Sequence, residues 1–348
     1  MKHIYLLLAI TIIYCSNGLF AQYSSKKINN IHQAYTDSIK NIKYTKIFPI
    51  WGQKVYEKGF DIPYPIGIMA NYFYAKQGLV IDNLQLGLVT DNIDAPLTPI
   101  DFVGFGNNYT TAETYMVRPD VWIFPFLNVY GIFGGGNSTT EVNLDQLGDK
   151  PFGMQSIVNQ SIKTAGVGMT GAAGLGPVWL AVDANMTWTK AQLVENPVKV
   201  STLGVRFGHN FVFQSKPYRN IGLWAGAMAV KMGSSTVGEI KLSEVLPPVS
   251  AKKKQEVTDN YNDWYNDPAT PIAQKIAANE VIKPLVDALG NSDSETIIKY
   301  GIDKSVKQPW NGLIGGQYQH NKSWMLRSEV GFIGNRKSFL LSLNYRFK

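Results

Sequence analysis

The chain has 348 residues, 33 of them basic and 26 acidic, for a net charge of +7. That balance is modest for the length, and Lys252-Lys253-Lys254 is its only dense basic run, so the sequence argues against a nucleic-acid partner. Its single cysteine, Cys15, lies in the first residues. Loss of that leader removes disulfides, thiolate nucleophiles and cysteine-ligated metal, and no other motif calls for a metal or cofactor.

Met1-Lys-His-Ile-Tyr followed by the apolar run Leu6–Tyr14 reads as a signal peptide, too short to span a membrane as a helix, with cleavage after Ala21. Tyr14 is bulky before Cys15, which argues against lipidation. From 22 to 64 the chain is polar, with Ile28, Ile31, Ala34, Ile39 and Ile42 at loosely helical spacing. This is expected to be a periplasmic N-terminal arm, or a plug built around Phe48-Pro-Ile-Trp51.

From Pro65 onward apolar residues alternate with polar ones, as in a transmembrane β-barrel with lipid outside and a lumen inside. Ile66–Ala75 and Leu79–Val89 read as a hairpin about Lys76-Gln-Gly78. Thr90–Asn108 reads as loop, with Ile100–Phe105 an optional strand. Tyr109–Val117, a turn at Arg118-Pro-Asp120, Val121–Phe133 and Ser138–Leu144 follow. Pro125 cannot donate a ladder bond, which implies a bulge or break there.

After a loop over Asp145–Ser161, Lys163–Gly174 and Val178–Lys190 meet through Gly174-Leu-Gly-Pro177. Val178, Leu180, Val182, Ala184, Met186 and Trp188 share one face, with Asp183 and Asn185 on the other. Val198–Phe213 and Tyr218–Met232 continue the pattern. Residues 233–309 interrupt it with helical stretches Lys252–Tyr265 and Ile272–Leu289 and a short third over Ser294–Lys299. Asn311–Gln319, Trp324–Phe332 and Ser338–Phe347 finish the chain.

The last strand resembles the terminal strand of Gram-negative outer-membrane barrels, which ends in an aromatic residue with another two before it. Phe347 and Tyr345 match, and the resemblance implies that they are the assembly signal read by the barrel-assembly machinery. Lys348 after the aromatic and Ser342 in place of a glycine depart from it. Val117–Gly131 and Gly168–Thr189 resemble a family of Gram-negative outer-membrane barrels, and the leader ending in Ala21-Gln22 resembles those of Bacteroidota exports. That resemblance implies location and shape, with no activity attached.

An even strand number with both ends in the periplasm gives an all-β, antiparallel up-and-down transmembrane barrel of about twelve strands over 65–348, with ten or fourteen as alternatives. On the twelve-strand count 233–309 is a helical extracellular insertion and Thr90–Asn108 is a periplasmic connection, long for that side. Asp183, Arg206, Arg327, Glu329 and Arg346 fall on wet faces as lumen charges, with Glu113 and Lys190 near the rims. Such charges either pair into a polar core or line a pore and set its selectivity. Apolar residues on both faces of Trp122–Tyr130 favour a small hydrophobic solute. The helix face Ala277, Val281, Leu285 and Leu289 must be buried, on the barrel mouth or on a partner.

His32, His209 and His320 are the histidines outside the leader. Ser201 shares a face with His209 but lies eight residues away, about 26 Å along a strand, so no local Ser–His dyad supports an enzyme. The reading is a passive pore or binding barrel for a small solute in the outer membrane, in contact with its lipids. A closed structural or surface-interaction barrel is the alternative, and a lipid-modifying enzyme a third. Oligomeric state is left open.

Overall fold

The computed structural model describes residues 26–90, 93–175, 177–213, 215–233, 235–290 and 296–348. The leader and its cleavage site lie outside them. Ten strands close a barrel: β1 (Ile66–Thr90), β5 (Asn108–Phe124), β6 (Leu127–Leu147), β7 (Lys150–Leu175), β8 (Val178–Ala191), β9 (Val198–Val212), β10 (Asn220–Met232), β13 (Trp310–Gln319), β14 (Trp324–Gly331) and β15 (Arg336–Arg346). All neighbours are antiparallel. Closure runs through β1, which pairs with β15 from Gly67↔Arg346 to Gln77↔Arg336 and with β5 from Ile66↔Val121 to Leu79↔Asn108. The end where β1 begins and β15 finishes is called here the terminal end, and its opposite the distal end.

Ten strands replace the expected twelve because three expected breaks are strand interior and one reversal is new. Lys76-Gln-Gly78 is paired on both sides, to Lys337 and Arg336 and to Thr111, Thr110 and Tyr109. Arg118-Pro-Asp120 pairs with Met69, Ile68 and Gly67, and the ladder to β6 has a gap between Val117↔Phe133 and Asp120↔Tyr130 that spares Pro119 a bond it cannot donate. The true reversal is at Pro125-Phe126, the break that Pro125 signalled. Ser138–Leu144 is the continuation of β6, and most of 145–161 belongs to β7. These changes move the 91–107 connection to the distal end, which leaves only short connections at the terminal end.

The outward face between the two ends is apolar and exposed, with Tyr115, Phe133, Val167, Met186, Leu203, Phe207, Leu341 and Leu343 among its members. Toward the distal end this belt stops at lysines that alternate with lumen-lining neighbours: Lys76, Lys163, Lys190, Lys199, Lys231 and Lys337. Lys76 sits directly opposite Lys337, and Lys163 opposite Lys190. Glu113 shares this outward side, since Ala112 and Thr114 line the lumen. Lys190 donates to the Val194 carbonyl at 2.6 Å, beside the β8–β9 connection.

Beyond the ring β1, β6 and β7 continue, joined by β4 (Val103–Phe105), β11 (Ser235–Lys241), β12 (Ile297–Val306) and, on β1, the two-residue strands β2 (Ile93–Asp94) and β3 (Thr98–Pro99). A bulge at Asp82–Gln85, where Asn83 has φ 51°, shifts which residues of β1 face inward. The insertion therefore contains two strands beside its helices; of the expected third helix at Ser294–Lys299, the first two residues lie outside the described residues and 297–299 begin β12. Its helices α3 (Leu242–Val245), α4 (Ala251–Tyr265) and α5 (Ile272–Ala288) pack on the extended strands around Leu86, Leu88, Leu144, Phe152, Met154 and Ile298. Trp264, Ile282 and Val286 at the centre are 2%, 0% and 1% exposed, a dry core outside the barrel. Ala277, Val281, Leu285 and Leu289 all belong to it, so that helix face is buried on the mouth of this same chain.

At the terminal end the arm holds α1 (Lys26–Lys40) and α2 (Gly52–Glu57) and crosses the opening. Trp51 packs on Phe124 and Phe126 by the β5–β6 turn, and Ile50 donates its N–H to the Ile123 carbonyl at 2.8 Å. Asp61 meets Lys322 of the β13–β14 turn at 2.6 Å. These two turns are four strand positions apart on the ring of ten, so the arm bridges the mouth.

Candidate functional site

The lumen is one cavity of about 820 Å³ running from Pro63 at the terminal end to Thr236 and Lys304 at the distal end. Alternation puts every second residue of each strand into it. Two of its tryptophans need missing side chains beside them. A Cβ at Gly315 would stand 2.5 Å from the Trp224 ring and one at Gly208 2.4 Å from Trp179. The two indoles lie 6.0 Å apart, with Trp179 near the terminal end of β8.

At the waist the structure joins four of the five expected lumen charges. Arg206 donates to Glu329 through Nε at 2.6 Å and Nη2 at 2.9 Å, and its Nη1 reaches Asp183. Arg327 donates to Glu329 at 3.1 Å, and its guanidinium lies 4.8 Å from the Trp224 ring, whose Nε1 donates to Glu329 at 2.9 Å. Asp183, Arg206 and Glu329 are 8%, 8% and 6% exposed. Burial on this scale is tolerable because the charges satisfy one another. Asn185 extends the network, accepting from Tyr130 Oη at 2.7 Å and donating to Thr202 at 2.8 Å.

Arg346, the fifth, is separate. Near the terminal end it pairs with Asp120 and donates to the Tyr64 carbonyl at 2.7 Å, while Asn128 donates to Asp120 at 2.7 Å. Asp120 and Arg118, whose guanidinium lies 3.7 Å from the Tyr130 ring, belong to the lumen although Arg118-Pro-Asp120 has the composition of a turn. Their signal was present: Ala112, Thr114, Met116, Arg118, Asp120 and Trp122 hold one parity through Pro119. Arg336 lies outside the expected strand Ser338–Phe347 but is in phase with Ser338, Ser342 and Arg346 and begins β15.

Several lumen groups have no hydrogen-bond partner among the described residues: both amide atoms of Asn71 and Asn344, Ser342 Oγ, and Nε and Nη1 of Arg336. On β12 Lys304 lines the distal end, and burial pushes its ammonium below the ordinary lysine range with no neighbouring charge to raise it. Counting Asp120, the described residues put six basic side chains in the lumen, Arg118, Arg206, Lys304, Arg327, Arg336 and Arg346, against three acidic ones.

Tyr345 and Phe347 stand at the terminal end in edge-to-face contact at 5.2 Å, and Tyr345 packs on Trp324 at 4.7 Å. His209 is on the outward face against Phe211, its Nδ1 bonded to the Pro177 carbonyl, and His320 meets the Tyr318 hydroxyl at 3.2 Å. Neither bonds a serine or carboxylate among the described residues. Nor do those residues hold three clustered metal-ligating side chains.

No family model matches the chain, and no curated protein matches it. Solved structures do. The translocator domain of the autotransporter NalP from Neisseria meningitidis is 9% identical with a TM-score of 0.30, over 92% of this chain and 94% of that one. The outer membrane protein OprG from Pseudomonas aeruginosa is 9% identical with a TM-score of 0.32, over 82% and 97%. The Ralstonia pickettii toluene transporter TbuX is 8% identical with a TM-score of 0.30, over 82% and 90%. These are barrels of Gram-negative bacteria, and at such identity and score the likeness carries no argument about what this lumen handles.

Proposed function

We propose that the chain is an exported outer-membrane barrel of a Gram-negative, Bacteroidota-type bacterium that binds a small solute in its lumen and passes it slowly. The observation that carries this is the unfilled cavity of about 820 Å³ running between the ends. A barrel meant only as a scaffold has no need of it, since the interior of a small barrel can be filled by side chains. The exposed apolar belt supports a lipid surround. Residues 22–64 form the periplasmic arm, the lysine edge faces outward from the cell, and 233–309 is an extracellular cap. Tyr345 and Phe347 serve assembly, and Asp183, Arg206, Arg327 and Glu329 set what crosses the waist.

The covers at both ends and the paired waist favour a second reading, a sealed structural barrel. Release of small solutes from liposomes carrying the full chain separates the two. Slow release is expected, faster in Arg206→Ala, which removes the side chain bridging the waist. Folding of each variant is checked by heat-modifiable gel mobility. No release from wild type or from folded Arg206→Ala would leave the sealed barrel. No catalytic role is proposed.

A further inference from the structure

Every lumen carboxylate among the described residues is already engaged. Asp120 holds Arg346 and Asn128, Asp183 holds Arg206, and Glu329 holds Arg206, Arg327 and Trp224. Two cations of the distal half have no carboxylate in direct contact among the described residues, and Glu329 acts on Arg336 only at a distance. Arg336 is 7% exposed, lines the cavity, lies 6.0 Å from the Phe73 ring, and has two guanidinium nitrogens without a partner among the described residues. The Lys304 side chain has no hydrogen bond or ion pair among those residues either. By register Arg336 is opposite Gln77 and Lys304 opposite Ile81, four residues up the same strand, or about 13 Å.

Water in the cavity can hydrate such groups but cannot neutralise them, and an uncompensated buried charge costs several kcal/mol. An anion would offset that cost. The walls select which kind. Phe73, Leu79, Ile162, Val200, Val230 and Leu340 line the same cavity. They offer nothing to a small hydrated ion and suit an apolar chain. The whole lumen, of which this is the distal half, has a volume of about 820 Å³.

We propose that the distal half of the lumen is a binding site for an amphipathic anion, a carboxylate-class headgroup bonded by Arg336, with Lys304 further up adding to the positive field and the apolar chain along the walls. This deepens the solute-barrel reading and rests on it only for the claim that the ligand also passes through.

The test is calorimetric titration of the full chain in lipid nanodiscs, with empty nanodiscs subtracted. The probes are octanoate, octan-1-ol and acetate. Octanoate should bind about tenfold or more tighter than the other two, the worth of one charge-assisted bond to a buried site. Arg336→Met should weaken octanoate by about the same factor, Lys304→Met by less, and neither should move octanol. Arg336→Lys should restore part of the loss. If Arg336→Met fails the gel-mobility test of folding, Lys304→Met and Arg336→Lys carry the comparison. Octanol binding as tightly as octanoate, octanoate indifferent to both cations, or no octanoate binding would each overturn the site. Liposome release is read separately: release without octanoate binding sinks this inference alone, and binding without release sinks the pore and leaves the site.

Discussion

The inward faces of β6 and β7 change character along their length without changing phase. Inside the barrel they present Ser138, Thr140, Thr164 and Thr170 to the lumen; further on, the same faces present Val142, Leu144, Met154 and Phe152 to the helices of the cap. The outward faces do the reverse, from Phe133, Val167 and Met169 in the belt to Glu141, Asn143, Gln155 and Asn159 beyond it. A strand registers only which of its sides is wet. In the barrel water is inside and lipid outside; in the extension water is outside and the core inside. The lysine edge marks the exchange, placed where a long cationic side chain can leave the apolar belt for water.

If that picture holds, the largest effect should come from breaking the wet interior of the barrel. Glu329→Ala strips Arg206 of its bidentate partner and Arg327 and Trp224 of theirs. Removing one partner of a buried pair costs about 3–5 kcal/mol, most of it from the charge left behind. The midpoint of urea unfolding, followed by gel mobility, should fall accordingly, and Glu329→Gln should recover part of the loss. A Glu329→Ala barrel as stable as wild type would mean that water already serves these arginines.

The next effect compares two positions on the outward side of one strand. Val167 is 58% exposed in the belt, and Ile157 lies ten residues earlier on β7, beyond the lysine edge. An arginine facing lipid near the midplane costs about 2–4 kcal/mol, whereas a surface substitution in water usually stays within about 0.5 kcal/mol. Val167→Arg should therefore depress barrel stability in lipid vesicles and Ile157→Arg should leave it unchanged. Equal effects would place the membrane boundary elsewhere.

The same exchange explains what the sequence could and could not tell. Strand faces were legible wherever one charge fixed the wet side, as Asp183 does for β8 and Arg206 for β9. The waist followed from them, since period two carries any inward charge into the lumen. Strand ends were not legible. Lys76-Gln-Gly78 and Arg118-Pro-Asp120 have turn composition, yet both keep parity with their flanks, and parity was the better guide. The unpartnered Arg336 was hidden because a basic residue next to Asn335 reads as loop. The cap strands β11 and β12 are obscured by their helical surroundings, and only the pairing of Ile298 with Leu88 on one side and with Ile240 on the other brings them into the wall.

The smallest effect asks whether the two regions stand or fall together. Ile282 is fully buried in α5, within the cap core and away from the lumen. Ile282→Val removes one methylene, at a typical cost of about 0.5–1.5 kcal/mol. The cap meets the barrel through continuous strands, but its side-chain core is its own, so the loss should stay local. Hydrogen exchange followed by mass spectrometry should show faster exchange in peptides from α4 and α5, and no change in β13, β14 and β15. An equal rise in those strands would show that the change of face along β6 and β7 divides two environments within one cooperative unit, in which a methylene lost above the lysine edge is felt in the membrane.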